Sequence, residues 1–232
     1  MKKVLTCQTC GQWEDYEPVM LNGQEHFKPR FCTPCSEIER KRLEEANAAQ
    51  ELTELKAKWL TICPPAYRET DPNFPMMNRS LLSGLMKYEP TGGRGIGLHG
   101  ETGLRKTRMM FLIAQKLHFG GHDVFYCSSK RIAGCFAVRY GKDRASDDAR
   151  DIIRRCYRAE ILFLDDLGKQ RFSDAGQSEF FDLVETRTNQ LKPILWTANA
   201  TGDELAGMMS KDRGGPIVRR LEDFCEVFHV TE

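Results

Sequence analysis

The sequence predicts an α/β fold built on a parallel sheet, and three observations predict it. From about residue 61, short apolar runs alternate with longer stretches of helical periodicity, as in a layered α/β domain. One run, Ile161-Leu162-Phe163-Leu164, is apolar at every position, as expected of a strand covered on both faces. The third observation is a glycine-containing loop, Gly100 to Thr107, set between a strand and a helix.

The elements follow in order. Residues 1–36 hold two close pairs of cysteines, with the turn-formers Gly11, Asn22-Gly23 and Pro29 between them. Residues 37–60 lack glycine and proline and are rich in helix formers, which predicts a connector helix. Leu52, Leu55 and Trp59, at i, i+3 and i+7, give it one narrow apolar face, and Pro64-Pro65 ends it. Strands are expected at Gly95–His99, Asp123–Cys127, Ile161–Leu164, Pro193–Thr197 and Phe224–Val230. Helices are expected over 104–119, with Met109, Leu112, Ile113 and Leu117 inward, and over 177–190. The domain plan is therefore a cysteine module at 1–36, a connector helix at 37–60 and an α/β domain at 61–232, without internal repeats or a clear lid domain.

Bulk composition bounds the function. With 232 residues there is room for one domain of roughly 150–200 residues and a small module. Apolar residues at 41% and charged residues at 29% exclude a disordered chain. A formal net charge of +1 gives no global attraction to nucleic acid, so any DNA contact has to come from a local patch. No apolar run reaches the ~18 residues of a membrane span, and the first residues lack the apolar core of a signal peptide. A cytoplasmic protein is expected. In that reducing setting the paired cysteines read as metal ligands, and the five single ones as buried thiols.

Gly100-Glu101-Thr102-Gly103-Leu104-Arg105-Lys106-Thr107 fits G-x-x-x-x-G-K-[ST] except at one place. Glycines let backbone N–H groups curl around phosphate oxygens, and the following helix adds its positive end. Lys106 would reach the β and γ phosphates of ATP, and the Thr107 hydroxyl would hold Mg²⁺, with Arg108 completing the contact segment. Arg105 stands where the second glycine belongs, as a side chain that crowds nucleotide, lies outward or touches phosphate. Asp165 and Asp166 end the apolar strand. Asp165 would orient Mg²⁺, and Asp166 would polarise an attacking water as general base. Asn199, just beyond the 193–197 strand, either holds that water or caps the helix starting near Thr201-Gly202-Asp203. Arg219 and Arg220 are either a solvated pair or an arginine offered to a neighbouring subunit's γ phosphate.

Taken together, the segment from Pro64 to the end resembles the DnaC-type helicase loaders and the related IstB-type transposition ATPases, a branch of the AAA+ P-loop proteins. Pro64-Pro65-Ala66-Tyr67-Arg68 resembles their entry segment, Gly100 to Thr107 their Walker A loop, and Ile161 to Gly168 their Walker B strand. Thr197-Ala198-Asn199 resembles the end of the sensor-1 strand, and Arg220 aligns with the arginine finger. A Ser-x-Arg element common in the family after the last strand is not seen before Glu232, which implies weaker closure around nucleotide. The resemblance implies a three-layer AAA+ core with Lys106, Asp166, Asn199 and Arg220 in catalytic roles. It implies a weak ATPase that uses ATP as a switch and assembles into a homo-oligomer. Its partners would be a replicative helicase and single-stranded DNA, with no membrane. The alternatives are a transposition-targeting ATPase on duplex DNA, or a nucleotide-sensing adaptor that does not hydrolyse ATP.

Cys7-Gln8-Thr9-Cys10 and Cys32-Thr33-Pro34-Cys35 form two C-x-x-C pairs. Two such knuckles complete a tetrahedral Cys₄ site of the structural zinc type, closed to substrate. His26 could replace one cysteine. Trp13, Tyr16 and Phe27 read either as a small core or as a stacking surface. Between 130 and 158, nine Lys and Arg residues face four Asp. With Phe136 or Tyr140 for stacking they read as a single-strand groove, or else as a solvated helical face.

Overall fold

The structure, a computed structural model, describes residues 2–21, 24–27, 29–169, 172–207 and 213–231, with His26 and Phe27 described in the backbone alone. The expected turn at Asn22-Gly23 lies outside the described residues. The chain divides into two compact units, Met1–Ala57 and Lys58–Glu232.

The first unit holds two hairpins. β1 (Lys3–Thr6) pairs antiparallel with β2 (Trp13–Tyr16), and β3 (Val19–Leu21) with β4 (Gln24–Phe27). α1 (Thr33–Ile62) begins here and runs for 30 residues. It starts earlier than the sequence predicts, inside the second cysteine pair. Pro34 falls in its first turn, where a helix tolerates proline because the missing N–H has no intrahelical partner. Glu14 accepts from the Thr33 N–H at 2.6 Å and from its hydroxyl at 2.5 Å, which secures this end. The expected apolar face is only partly used: Trp59 is buried, Leu55 half-buried and Leu52 exposed.

In the second unit, side-chain alternation decides the layers. β5 (Gly95–His99), β6 (Val124–Ser128), β7 (Ile161–Leu167), β8 (Ile194–Ala198) and β9 (Cys225–His229) form one parallel sheet in the order β6-β7-β8-β5-β9. Along β7, Leu162 and Leu164 enter a core layer with Ile132, Cys156, Phe180 and Ile217. Ile161 and Phe163 enter the other, with Trp59, Met109, Phe111 and Ile113. Burial on both faces is why this strand is apolar throughout. Each fully buried Leu or Phe contributes roughly 1.5–3 kcal/mol.

The helices are α2 (Arg79–Leu85), α3 (Lys106–Phe119), α4 (Ser129–Val138), α5 (Arg144–Arg158), α6 (Asp174–Asn189), α7 (Gly202–Gly207) and α8 (Gly214–Phe224). Asn78, Ser128, Asp143 and Ser173 cap four of them through side-chain oxygens. Because Ser173 caps α6, that helix starts three residues before the expected 177. All four inward positions foreseen for α3 are buried. The strands match expectation to within a residue or so at most ends, except that β7 continues through both aspartates to Leu167. The five single cysteines are buried as expected. Among the described residues no helix is long and apolar enough to cross a membrane.

Candidate nucleotide and metal sites

The loop between β5 and α3 has a backbone that its glycines make possible. Gly100 has φ +142°, and a Cβ there would stand 2.4 Å from the Val230 carbonyl oxygen. Gly103 has φ +98°. No side chain caps the start of α3, so its first-turn N–H groups face the loop. Exposed amides and the helix dipole make this end a seat for anions.

A cleft of about 190 Å³ opens over the loop and brings together Lys106, Thr107, Asp166 and Asn199. Lys106 is buried, and its ammonium donates to the carbonyls of Gly100 at 2.9 Å and Glu101 at 2.6 Å. Burial lowers its pKa. The Thr107 hydroxyl donates to Asp165 Oδ1 at 2.8 Å, and the Thr197 hydroxyl donates to the same oxygen at 2.6 Å. Burial raises the Asp165 pKa against the pull of these hydroxyls. Threonine hydroxyl and carboxylate together are the hard oxygen donors that suit Mg²⁺.

Asp166 has φ +61°, where the register between β7 and β8 slips between Leu164 and Leu167. Its carboxylate pairs with Lys169 Nζ at 2.9 Å. Lys169 lines the cleft too. Its only sequence signal was a basic residue three positions after an acid. Asn199 is not the cap of α7. Thr201 and Glu204 form that capping box, with Thr201 N–H donating to Glu204 at 2.8 Å. This leaves the Asn199 side chain in the cleft. Arg220 does not line it. It pairs with Glu185 of α6 and lies over the Phe181 ring at 5.4 Å. Arg219, next to it, is exposed.

Arg105 takes the left-handed conformation that glycine would take there, with φ +58°. Its guanidinium is drawn to the stretch that follows the entry segment, with Nη2 3.8 Å from Met76 Sδ and the charge 5.6 Å from the Phe74 ring. Arg108 stacks closer on Phe74, at 3.8 Å, and donates to Thr70 at 2.6 Å. The contribution of Tyr67, Thr70 and Phe74 was not foreseen, because nothing in their spacing ties them to a loop thirty residues on. A non-glycine residue at this φ is strained by about 1 kcal/mol, partly offset by the Phe74 contact. Arg105→Gly is therefore expected to raise the melting temperature by about 2 °C. A thermal melt checks this, and a fall of that size would contradict the strain.

In the first unit the four cysteines converge. The sulfurs of Cys7, Cys10, Cys32 and Cys35 all lie within 4.8 Å of one another, with Cys10 and Cys32 at 3.6 Å. Four sulfurs at ~2.3 Å from a tetrahedral zinc stand ~3.8 Å apart, so the donor set fits. The first pair is a knuckle: Gly11 N–H donates to the Cys7 carbonyl at 3.0 Å and has φ +69°. The second pair is the first turn of α1 instead, closed by Ser36 N–H on the Cys32 carbonyl at 2.8 Å. The Cys10 amide, with further backbone donors, lowers Cys7 to about 6. Its sulfur neighbours push Cys35 up to about 12. The His26 and Phe27 side chains lie outside the described residues. Trp13 is 78% exposed, and Tyr16 donates to Glu25 at 2.6 Å.

A parallel sheet in the order found, with a lysine-threonine loop after β5 and an acid pair near the end of β7, the next strand but one, defines an AAA+ P-loop ATPase fold. The chain belongs to the family of IstB-like ATP binding proteins, whose family model matches residues 92–231. No curated protein matches it. Among solved structures it is similar to DnaI, at 18% identity and TM-score 0.60, covering 73% of this chain and 92% of that one. The DnaC helicase loader is similar at 20% identity and TM-score 0.57, covering 72% and 100%. DnaA of Aquifex aeolicus, bound to AMPPCP, gives 19% identity and TM-score 0.52 over 66% of this chain, which spans 45% of that protein's length.

Proposed function

We propose that this protein is an ATP-switched DNA replication factor that loads a ring helicase onto single-stranded DNA. The observation that carries the ATP switch is the meeting of Lys106, Thr107, Asp166 and Asn199 in one cleft, beside a buried Asp165. Lys106 and the loop amides hold the phosphates, with Arg108 at the cleft wall. Thr107 and Asp165 would hold Mg²⁺, which when bound would neutralise charge on the phosphates. Asp166 polarises the attacking water and Asn199 orients it. Arg220, outside its own cleft, is the group a neighbouring subunit would receive once Glu185 releases it. The shared fold with the DnaC helicase loader, over 72% of this chain and 100% of that one, is what brings loading into the reading.

The DNA path is a groove of about 340 Å³ lined by Arg139, Tyr140, Arg150, Ile153 and Arg154. Tyr140 is 76% exposed and stacks under Arg139 at 4.4 Å. Phe136, the other expected platform, is buried against Phe172 and is not available to a base. Arg150 and Arg154 pair with Asp147 and Asp151 one turn back, so much of this face is neutralised. Binding here relies on stacking more than on net charge.

The experiment is ATP turnover by the full chain with single-stranded or duplex DNA. A rate changed by single strands and not by duplex supports the loader. A rate changed by duplex alone favours the transposition ATPase, the reading to which the family match lends weight. ATP binding without turnover under either condition leaves the adaptor.

The Cys₄ cluster holds a structural zinc in this reading, and the metal supplies folding energy that so small a unit cannot draw from a core. Removing it with a strong chelator is expected to expose residues 2–32 to protease while the melting of the ATPase unit shifts by less than about 2 °C. Elemental analysis should find one zinc per chain, lost in Cys7→Ser. Metal-free protein with a protected N-terminal unit would overturn the assignment.

A further inference from the structure

Thr197 is buried in β8, 1% exposed, two residues before Asn199. A hydroxyl has one hydrogen to give and lone pairs to receive with. Thr197 spends the first on Asp165 Oδ1, at 2.6 Å. It accepts the Asp166 N–H at 2.9 Å. A single side chain thus holds the carboxylate of one acid and the backbone of the next. The second contact falls where β7 is least regular, at the positive φ of Asp166 and the register slip that follows Leu164. Ser129 holds the next peptide group of the same residue, its hydroxyl donating to the Asp166 carbonyl at 2.5 Å.

We infer that Thr197 is the positioning residue of the acid pair, setting the Asp165 carboxylate and the Asp166 backbone together against the strand that delivers Asn199. This rests on reading the cleft as a Mg–ATP site. Thr107 donates to the same Asp165 oxygen at 2.8 Å, from the loop side. Tyr126 OH stands 3.4 Å from the second oxygen, a longer contact. The carboxylate is therefore oriented chiefly from Oδ1, by one hydroxyl on the loop and one on β8. Without the Thr197 hydroxyl, Asp165 keeps one short donor, and the Asp166 N–H loses its acceptor at the point of strain.

The test compares the full-length wild type with Thr197→Val, which keeps shape and loses the hydroxyl, and Thr197→Ser, which keeps the hydroxyl. ATP turnover is measured across a Mg²⁺ titration, and hydrogen exchange is followed at the Asp166 amide. Thr197→Val is expected to lower kcat by about 10–100-fold and to raise the Mg²⁺ requirement, with KM for ATP within about threefold. Exchange at Asp166 should speed up by about tenfold or more. Thr197→Ser should restore kcat, Mg²⁺ dependence and slow exchange. If the valine chain does not fold, Thr197→Cys, a weak donor of similar size, takes its place with the same expectation. The inference is overturned if valine behaves as wild type, or if serine falls as far as valine. Wild type without Mg²⁺-dependent turnover overturns the Mg–ATP reading and the inference with it, and that outcome is visible before any substitution is made.

Discussion

Replacing Lys106 with alanine is expected to lower ATP turnover by at least about 100-fold, because a single preorganised charge on transferring phosphate is worth about that much. The fold should survive. Lys106 opens α3, and its ammonium contacts two loop carbonyls, Gly100 and Glu101, rather than any carboxylate. The loop is open to solvent at Glu101, Thr102 and Gly103. Water can therefore take over much of what the ammonium leaves, and stability should change by only about 1 kcal/mol. Losing the buried cation also removes a desolvation penalty, the same one that lowers its pKa. Turnover and nucleotide binding measured beside a thermal melt separate the two effects. Turnover within threefold of wild type in a folded Lys106→Ala chain would mean that ATP is not processed in this cleft.

The sequence carried those parts of the fold that rest on repeating local chemistry. Five strands were visible because a two-faced strand has to be apolar at successive positions, and α3 because its core face recurs at helical spacing. The loop was visible despite Arg105, since Lys106, Thr107 and the glycines at 100 and 103 keep their order. What escaped depends on contacts between distant residues. Thr197 looks like any β-branched strand residue until β7 is laid beside β8, and only then do its two hydrogen bonds to the acid pair exist. The turn of Arg105 toward Phe74 and Met76 depends on those residues lying beside the loop in the fold. Likewise the start of α1 at Thr33 escaped, because the C-x-x-C spacing does not show whether the second pair forms a loop knuckle or a helical turn. Phe136 and Tyr140, four residues apart, looked equivalent as stacking platforms. They differ because Phe136 joins the layer with Phe172 and Phe180, while Tyr140 lies just beyond the end of α4.

Arg187 gave no signal at all in the sequence, and its loss is expected to do the most damage to the fold. It sits in α6 with none of its surface exposed, and no carboxylate pairs with it among the described residues. Four carbonyls hold it instead: Cys156 at 2.8 Å, Ala159 at 2.9 Å, Glu160 at 3.0 Å and Pro193 at 2.9 Å. The first two belong to the last turn and cap of α5, where helix carbonyls lack intrahelical partners and the dipole is negative. Glu160 and Pro193 lead into β7 and β8. One guanidinium thus caps a helix and ties together the starts of the two strands whose far ends carry Asp165, Asp166 and Asn199. Burial pulls its pKa down to about 10, so it remains charged at neutral pH. Arg187→Ala leaves a cavity and four carbonyls without their donor, and should cost about 4 kcal/mol. For a unit of this size that is a drop in melting temperature of about 10 °C. Arg187→Lys keeps the charge without the planar fork that reaches four acceptors, and should lose about half as much. Denaturant or thermal unfolding of the three chains measures the series. A loss below about 1 kcal/mol for alanine would mean that water replaces the guanidinium at these carbonyls, and that the strand starts are held by packing alone.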